Sequence, residues 1–410
     1  MTPHQVQNSP GHKLEFIPRG PAHQGTELGP AAIEGLYFHI PFCFHKCHYC
    51  DFYSIVDQRD RQRWFTDALI GELTRQADRW PLRPGTIFVG GGTPTLLETG
   101  LWQRLLETMH QLGVLERVTE FTVEANPETV TDELLATLAA GGVNRLSIGA
   151  QSFDPALLKT LERWHEPASV QRAVTAARAA GITDVNLDLI FAIPGQTMAG
   201  LDRDLEARLA LQPTHLACYS LIFEPETPLA EKKRQGRIQP VAEQQEAAMY
   251  ERVIDRLDAA GFEHYEISNW AKRGEPGESA SPYRCEHNLL YWHNANWLGL
   301  GPSAASHVAG RRWKNVAHLG QYLAEAPTPP TTDDERLDAN GQLGEMMMLG
   351  LRTRDGLSRR WLAEALAGDD PRWRAIDQMV SQGLLERDRE RVRLSQSGLF
   401  VADAVVAELL

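Results

Sequence analysis

The feature that most constrains this 410-residue chain is one short loop that carries three of its five cysteines. Cys43, Cys47 and Cys50 have the spacing C-x3-C-x2-C in the segment IPFCFHKCHYCDFYS. This spacing brings three thiolates within reach of one metal centre, and no fourth cysteine follows nearby. Because a cubane iron–sulfur cluster normally takes four cysteine thiolates, three ligands predict a [4Fe–4S] cluster with one iron open to a ligand that is not protein.

A structural zinc site is the alternative for this loop, because His45 or His48 would complete a tetrahedral Cys3His set. Zinc sites usually pair two short knuckles separated by a longer stretch, whereas here all the ligands lie in one loop. The loop directly follows an apolar segment, 36–40, that is typical of a β-strand. A strand followed by such a loop resembles the radical S-adenosylmethionine (SAM) superfamily. In that superfamily SAM binds the open iron, and an electron from the cluster cleaves SAM to a 5'-deoxyadenosyl radical.

Composition limits the class of protein. With 42% hydrophobic and 23% charged residues the chain can bury a large core, and its length predicts two or three domains at about 150 residues each. The cysteines do not form a disulfide framework, and an oxygen-sensitive cluster suits a reducing compartment, so we expect a cytoplasmic location. We expect no membrane span, and residues 1–34 are predicted to be a disordered tail. A net charge of -13 argues against a nucleic-acid partner.

Apolar segments typical of strands alternate with amphipathic segments typical of helices. The predicted strands are 36–40, 86–89, 120–123, 145–148, 184–190 and 215–221. The predicted helices between them are 61–79, 101–112, 132–140, 169–180 and 201–211. This alternation predicts an α/β fold with a parallel sheet and right-handed crossovers. The count of six resembles the partial (β/α)6 barrel of radical SAM proteins, where chemistry collects at the carboxyl ends of the strands.

Polar and glycine residues mark those predicted strand ends. The motif GGGTPT, 90–95, follows the second strand, where glycines let the backbone approach a ligand closely. It lacks the Lys-Ser/Thr of a P-loop, and taken alone it also fits a tight turn. Glu124 ends the third strand, Gln151 ends the fourth and Asp188 lies within the fifth. Each could be a capping or surface residue, but polar residues at successive strand ends predict a shared pocket.

Several segments together resemble the oxygen-independent coproporphyrinogen III oxidase family from about residue 35 onwards. They are YFHIPFC, GGGTPT, VEANPE, RLSIGAQSF, LDLIFAIPGQ and YSLIFEPETPL. The resemblance implies that the glycine motif binds the SAM amino group and that two SAM molecules can bind. It assigns contacts with the cluster-bound SAM to Tyr37, Gly91 and Glu124. The positions that match the second SAM site are Tyr49, Gly92, Thr93, Gln151, Arg163, Asp188 and Ile222.

The chain also departs from the oxidase pattern. Oxidases of the family have a further cysteine two residues after the triad, where this chain has Phe52, and a longer ordered N-terminal element. The segment RCEHNLLYW, 284–292, resembles the HNxxYW signature of the haem chaperone branch. That resemblance implies haem binding, delivery to haem-requiring proteins such as respiratory-chain components, and an electron donor as a further partner. The alternative is a radical enzyme that oxidatively decarboxylates two porphyrinogen propionates.

His287 is the candidate haem ligand in this segment, because imidazole is a common axial donor to haem iron. Tyr291 and Trp292 would supply a flat apolar wall. The alternative is a structural histidine beside core aromatics. Cys285 could offer a thiolate, but a lone cysteine is more often a small buried residue, and Cys218 in an apolar strand also fits the buried role.

The remaining chain is predicted to form a connecting segment and a smaller C-terminal domain. We divide the chain into a barrel at 35–268, a connecting segment at 269–330 and a C-terminal domain at 331–410. The run APTPPTTDD, 326–334, has the composition of a linker. Predicted helices at 241–260, 341–351, 361–366 and 374–382 precede a hairpin at 383–394 and a last helix. The last part of this order resembles a winged helix, an α+β unit. Its charges are balanced, so we expect it to cover the barrel mouth or dock a partner instead of binding DNA.

Overall fold

The computed structural model describes residues 32–278 and 280–410. Residues 1–31 of the predicted disordered tail lie outside the described residues. The last two positions of that tail, 33 and 34, begin the first strand. Within the described ranges, no helix combines the length and apolar character needed to cross a lipid bilayer.

Six consecutive βα repeats form the first part of the described chain, which confirms the predicted alternation. The strands are β1 (Ile33–Ile40), β2 (Leu82–Gly91), β3 (Glu120–Ala125), β4 (Arg145–Gln151), β5 (Asp184–Phe191) and β6 (His215–Ser220). The helices are α1 (Gln62–Arg79), α2 (Thr99–Gln111), α3 (Asp132–Ala140), α4 (Pro155–Thr160), α5 (Pro167–Ala179) and α6 (Met198–Ala210). A short 3-10 turn, Pro94–Leu96, precedes α2. Neighbouring strands pair in parallel in chain order, so their carboxyl ends meet along one edge of the sheet.

Local sequence explains why these elements form where they do. In β1 the side chains of Leu36, Phe38 and Ile40 are fully buried in the core, and the alternate positions face the other side of the sheet. Helix α3 begins where predicted, because the Thr131 hydroxyl accepts a hydrogen bond from the Leu134 backbone N–H. The fold thus follows from a period of two in the strands and from capping signals at the helices.

The following elements extend the sheet at both edges. They are α7 (Pro228–Arg234), α8 (Glu243–Ala259), β7 (Phe262–Glu266), β8 (Asn269–Lys272), α9 (Glu286–Trp292), β9 (Trp297–Leu300), β10 (Ala305–Val308), β11 (Arg311–Asn315), α10 (Leu319–Glu325) and β12 (Thr331–Arg336). In the described chain they complete a 12-stranded sheet with the order β12-β11-β10-β9-β1-β2-β3-β4-β5-β6-β8-β7. Strand β9 runs parallel to β1, whereas β8 is antiparallel to β6. The six-stranded core of the predicted barrel therefore has additional strands on each side.

The composition of residues 326–334 predicted a linker, and this prediction is wrong for its second half. Strand β12 pairs antiparallel with β11, and all six of its side chains are exposed. Main-chain hydrogen bonds along the edge of the sheet hold this strand, so no apolar pattern marks it in the sequence.

The C-terminal part has its own core and a small sheet. Its elements are α11 (Ala339–Arg352), β13 (Leu357–Ser358), α12 (Arg359–Ala365), α13 (Pro371–Ser381), β14 (Leu385–Arg387), β15 (Arg391–Leu394), α14 (Gln396–Leu399) and α15 (Ala402–Ala407). The three strands pair in the order β13-β15-β14, as expected for a winged-helix-like α+β unit. The unit packs on the turn after β7, where the Ile267 backbone N–H donates to the Arg352 carbonyl at 3.2 Å. The division into three domains stays a prediction.

Candidate functional site

The loop that follows β1, here called the cluster loop (residues 43–50), is anchored along its length by main-chain hydrogen bonds. The Cys43 N–H donates to the carbonyl of Ile55 at 2.9 Å. The His48 N–H donates to the carbonyl of Leu161, beyond α4, at 3.2 Å. These bonds fix the path of the loop across the carboxyl ends of the strands, where the sequence predicted the chemistry.

The structure places the three predicted cluster ligands in this loop as free thiols. Burial raises the pKa of Cys43 and raises that of Cys50 to about 11, and the neighbouring Cys47 adds to both effects. Within the described ranges, no set of three or more His, Cys, Asp or Glu side chains is already arranged to hold a metal ion. The three thiols are neighbours. To bind iron, their side chains must turn towards one point and release their protons as the metal binds.

Hydrogen-bond donors surround two of the sulfur atoms. The Thr93 hydroxyl donates to Cys43 Sγ at 3.5 Å, and the Arg163 guanidinium donates to Cys47 Sγ at 3.5 Å. The same guanidinium donates to the Gly149 carbonyl at 2.7 Å, which fixes its position. Hydrogen bonds to ligating sulfur orient it and set the reduction potential of iron–sulfur clusters. Three thiols, two of which have such donors, fit an iron–sulfur cluster.

The two histidines of the zinc alternative have other neighbours. The imidazole of His45 stacks on Trp164, with ring centroids 4.2 Å apart and an interplanar angle of 12°. The Nδ1 atom of His48 accepts a hydrogen bond from Lys232 Nζ at 2.9 Å. Neither imidazole joins the thiols in a tetrahedral set within the described chain. This geometry favours the cluster over zinc.

The glycine motif packs against the end of β1 and the residues that lead into the cluster loop. A Cβ atom on Gly92 would lie 2.7 Å from the Phe42 carbonyl oxygen, and one on Gly91, whose φ is +103°, would lie 2.6 Å from the His39 ring. The Gly92 N–H donates to the Ile40 carbonyl at 2.8 Å. The glycines therefore permit close approach of β2 to the protein's own loop, in addition to the ligand contact that the sequence predicted.

Glu124 and Asp188 lie together at the barrel mouth, as predicted from their strand positions. Glu124 Oε2 accepts from the Gly91 N–H at 3.2 Å, and burial followed by the charge of Asp188 raises the pKa of Glu124 to about 8. Burial raises the pKa of Asp188 to about 6, although the Asn186 amide donates to it at 2.7 Å. A cation that binds here would ionise Glu124, because an opposite charge favours the carboxylate.

Tyr37 is held beside Glu124 by a short hydrogen-bonded chain. His39 Nε2 donates to the Tyr53 carbonyl at 2.8 Å, so His39 Nδ1 accepts from the Tyr37 hydroxyl at 3.1 Å. Burial lowers the pKa of His39 to about 4, which keeps the imidazole neutral. The role of His39 could not be predicted from the sequence, because it depends on the carbonyl of Tyr53, a residue that lies beyond the cluster loop.

The other residues assigned to SAM by resemblance divide into two groups. Tyr49 and Arg163 are close enough to Asp188 to interact with its charge, and Gln151 is buried at the end of β4 with a φ of 56°. Ile222, by contrast, is 65% exposed after β6. The structure thus brings all of these except Ile222 into the buried part of the mouth.

The structure places the candidate haem ligand His287 in the core. Its side chain is fully buried; Nδ1 lies 2.8 Å from the Thr86 hydroxyl, and Nε2 lies 2.9 Å from the Tyr291 hydroxyl. The ring also stacks on Phe88 with centroids 5.3 Å apart. A haem iron would have to displace one of the two hydroxyls to reach this imidazole. The geometry therefore favours the structural alternative for His287.

Cys285 is also enclosed, and burial raises its pKa well above the ordinary range. Its Sγ donates to Glu120 Oε1 at 3.4 Å, and the same carboxylate accepts from the backbone N–H groups of Glu286 at 2.8 Å and His287 at 3.0 Å. Glu120 therefore caps α9 from another element. The role of Glu120 could not be predicted from the sequence, because this residue begins a strand, whereas the predicted site residues end one.

Helix α9 closes the end of the barrel opposite the cluster loop. Its partners Thr86 and Glu120 lie in the first halves of β2 and β3. In β1 a Cβ on Gly35 would lie 2.7 Å from Leu290 Cδ1, so glycine lets the Leu290 side chain pack closely on β1. The Arg352 guanidinium lies 4.7 Å from the centroid of the Trp292 ring, so it covers part of the predicted apolar wall, which stays a prediction.

Comparison with known proteins identifies the family. Residues 37–207 match the model of the Radical SAM superfamily, and residues 337–401 match the HemN C-terminal domain. The haem chaperone HemW of Lactococcus lactis is 37% identical over 91% of this chain and 96% of its own length. The HemW proteins of Mycobacterium tuberculosis and Bacillus subtilis are 38% and 34% identical, each over 92% of this chain and over 94% and 99% of their own lengths. The chain belongs to the HemW family.

The fold is shared with a solved radical SAM enzyme. The coproporphyrinogen III oxidase HemN of Escherichia coli superposes with a TM-score of 0.76 at 21% identity, over 93% of this chain and 90% of that chain. Membership of the radical SAM superfamily implies a [4Fe–4S] cluster and SAM as cofactors of this HemW-family protein. All three cysteines of the triad lie in the matched range.

Proposed function

We propose that this HemW-family protein is a haem chaperone, which binds haem and transfers it to haem-requiring proteins. The observation that carries the proposal is its similarity to HemW haem chaperones, at identities between 34% and 38% over more than nine-tenths of the chain. The recipient, which we predict to be a respiratory-chain component, the electron donor and the cytoplasmic location stay predictions.

In this proposal Cys43, Cys47 and Cys50 hold the [4Fe–4S] cluster. When bound, such a cluster would supply one electron to SAM. The chain's own groups position these cofactors: the Arg163 guanidinium and the Thr93 hydroxyl donate to sulfur and keep two of the thiols in place. A fixed positive charge beside a sulfur also stabilises the extra electron of a reduced cluster.

SAM binding is assigned to the groups around Glu124. A carboxylate beside a close-packed glycine strand end suits the amino group of a small zwitterion, and Tyr37 and Gly91 adjoin this carboxyl. Tyr49, Gln151 and Asp188 border the same mouth and are the candidates for a second SAM; Gln151 is buried and the other two are half-buried. The backbone N–H groups of Gly92 and Thr93 already donate to the carbonyls of Ile40 and Phe42, which precede the cluster loop, so any SAM contact would come from their other atoms.

The oxidase remains the second candidate function, because the protein shares its fold with the HemN enzyme. Phe52 stands where that family has a further cysteine, and its side chain is 64% exposed, so this position supplies no thiol to the mouth. Fold alone does not determine chemistry, and the missing thiol favours the chaperone.

Two measurements on the same protein preparation distinguish these functions. The full chain, reconstituted anaerobically with iron and sulfide, is titrated with haem by its Soret band and assayed for coproporphyrinogen decarboxylation. We expect haem retention, transfer to an apo haem protein and no decarboxylation. Robust decarboxylation without haem retention would overturn the proposal.

The cluster assignment has its own control within the chain. Replacing Cys43, Cys47 or Cys50 by Ala should abolish the cluster's absorbance and EPR signal, whereas Cys218→Ala should preserve both, because Cys218 is buried within β6. Iron and zinc are measured in each sample. Retention of iron by all three triad variants, or uptake of zinc alone, would contradict the assignment.

A further inference from the structure

Large apolar side chains are exposed around the cluster loop. Phe44 is 53% exposed and Trp164, which follows α4, is 58% exposed. Exposed aromatic side chains grouped on one surface commonly mark a binding site, whereas single ones need no explanation. Here they border the mouth that holds the cluster ligands, so a ligand with a large apolar face is the first candidate.

These side chains form one continuous surface, here called the aromatic rim (Phe44, His45 and Trp164). The Phe44 ring meets Trp164 edge to face, with centroids 5.6 Å apart, and the His45 ring is stacked on Trp164 at 4.2 Å. Trp164 is positioned by its neighbour Arg163, whose guanidinium is bonded to Cys47 Sγ and to a carbonyl. The rim is therefore fixed relative to the cluster loop and keeps exposed ring surface available.

Two lysines lie beside the rim in a chain of net charge -13. Lys46 is exposed between the loop cysteines. Lys232 Nζ contacts His48, whose ring lies 6.4 Å from that of His45, and the lysine side chain is 30% exposed. Its Nζ also forms an ion pair with Glu162 at 3.9 Å, a distance too long for a hydrogen bond. A flat apolar ring system with carboxylate substituents complements this combination of aromatic surface and cations.

Helix α9 is enclosed, so it does not offer an alternative surface for haem. Both nitrogens of His287 have hydrogen-bond partners, and the Cys285 thiol is bonded to Glu120. Resting on the proposed haem chaperone function, we propose that haem binds at the barrel mouth. One porphyrin face lies against the aromatic rim, and the propionates pair with Lys46 and Lys232.

The test uses the reconstituted full chain and two probes, haem and iron-free protoporphyrin IX. Trp164→Ala and Phe44→Ala should each weaken the binding of both probes at least tenfold, because the contact is with the ring plane and not with the iron. Trp64→Ala is the matched control, since Trp64 is 65% exposed on α1 and outside the rim. Iron content and cluster absorbance are checked in every variant.

The lysine contact is tested separately. Lys232→Ala should weaken haem binding several-fold, with a difference that shrinks as salt is raised, because exposed charge pairs are screened. Lys159→Ala, an exposed lysine on α4, is the control and should change nothing.

The outcomes separate this inference from the proposed function. Wild-type protein that binds no haem overturns both. Wild-type protein that binds haem while the Phe44→Ala, Trp164→Ala double variant binds it equally well overturns only the rim. Rim variants that keep porphyrin affinity but change the oligomeric state or the rate of cluster reduction by a donor protein would make the rim a protein-docking surface, which also contradicts the proposal.

Discussion

Replacing His287 by Ala tests whether the HNLLYW segment is structural. The imidazole is fully buried and bridges Thr86 to Tyr291. Its loss leaves the hydroxyls of Thr86 and Tyr291 without their shared hydrogen-bond partner. An unsatisfied buried hydroxyl costs about 1–3 kcal/mol of folding free energy, and the cost is smaller for the half-buried Tyr291. The cavity adds a further cost of the kind seen for large-to-small core changes, about 2–5 kcal/mol. Partial relaxation overlaps these costs, so we expect about 3–5 kcal/mol of lost stability.

The measurement is the urea unfolding midpoint followed by tryptophan fluorescence, with His110→Ala as the control. His110 is exposed on α2, and its replacement should change stability by no more than about 0.5 kcal/mol. Haem added to the folded fraction of the His287 variant should give the wild-type Soret spectrum. A stability within about 1 kcal/mol of wild type, together with a shifted Soret band, would refute the structural role and restore the ligand assignment.

Three further predictions concern the mouth. Gly92→Ala should prevent stable cluster assembly, because its Cβ would lie 2.7 Å from the Phe42 carbonyl oxygen. The control Gly100→Ala, whose Cβ would have no atom within 4 Å, should assemble the cluster normally. The iron content of the two variants is measured, and equal iron in both would contradict the prediction. Arg163→Leu should retain iron but lower the cluster's reduction potential in redox titration, because one N–H···S bond and a positive charge are lost; an unchanged potential contradicts this. The pKa of Glu124 is raised to about 8, so the folded state keeps a proton that the unfolded state loses above about pH 4–5. Stability should fall as pH rises towards 8, and Glu124→Gln should flatten this slope in urea unfolding; an equal slope in both proteins would contradict the assignment.

The βα repeats could be predicted from sequence because their signals are local. The apolar segment 36–40 identified β1, and the amphipathic segment 132–140 identified α3, which the Thr131 cap begins in the structure. Strand β12 could not be predicted in this way. Its six residues are all exposed, and it forms because β11 offers unpaired main-chain groups, which is a property of the neighbouring strand.

The same distinction applies to the site. Glu124 and Asp188 were predicted to share a pocket because parallel strands end along one edge. The raised pKa of Glu124 reflects that neighbourhood, since the charge of Asp188 adds to the effect of burial. The environment of His287 could not be predicted, because Thr86 is 201 positions away in the chain. A histidine followed by aromatic residues looks alike in sequence whether its nitrogens are free or bonded. Only the tertiary partners distinguish a ligand from a packing residue.

The two ends of the barrel therefore have different roles. At one end α9 is capped by Glu120 and packed on Gly35, which closes the interior. At the other end the cluster loop, Glu124 and the aromatic rim share one opening. If haem and SAM both bind at this opening, the binding of one must change the affinity for the other, and linkage requires the same factor in both directions. Haem titrations with and without SAM, and SAM titrations with and without haem, measure that factor twice. If the affinity for haem is the same with and without SAM, haem binds away from the mouth. If the two affinities differ by the same factor in both sets of titrations, SAM and its cluster regulate how tightly haem is held.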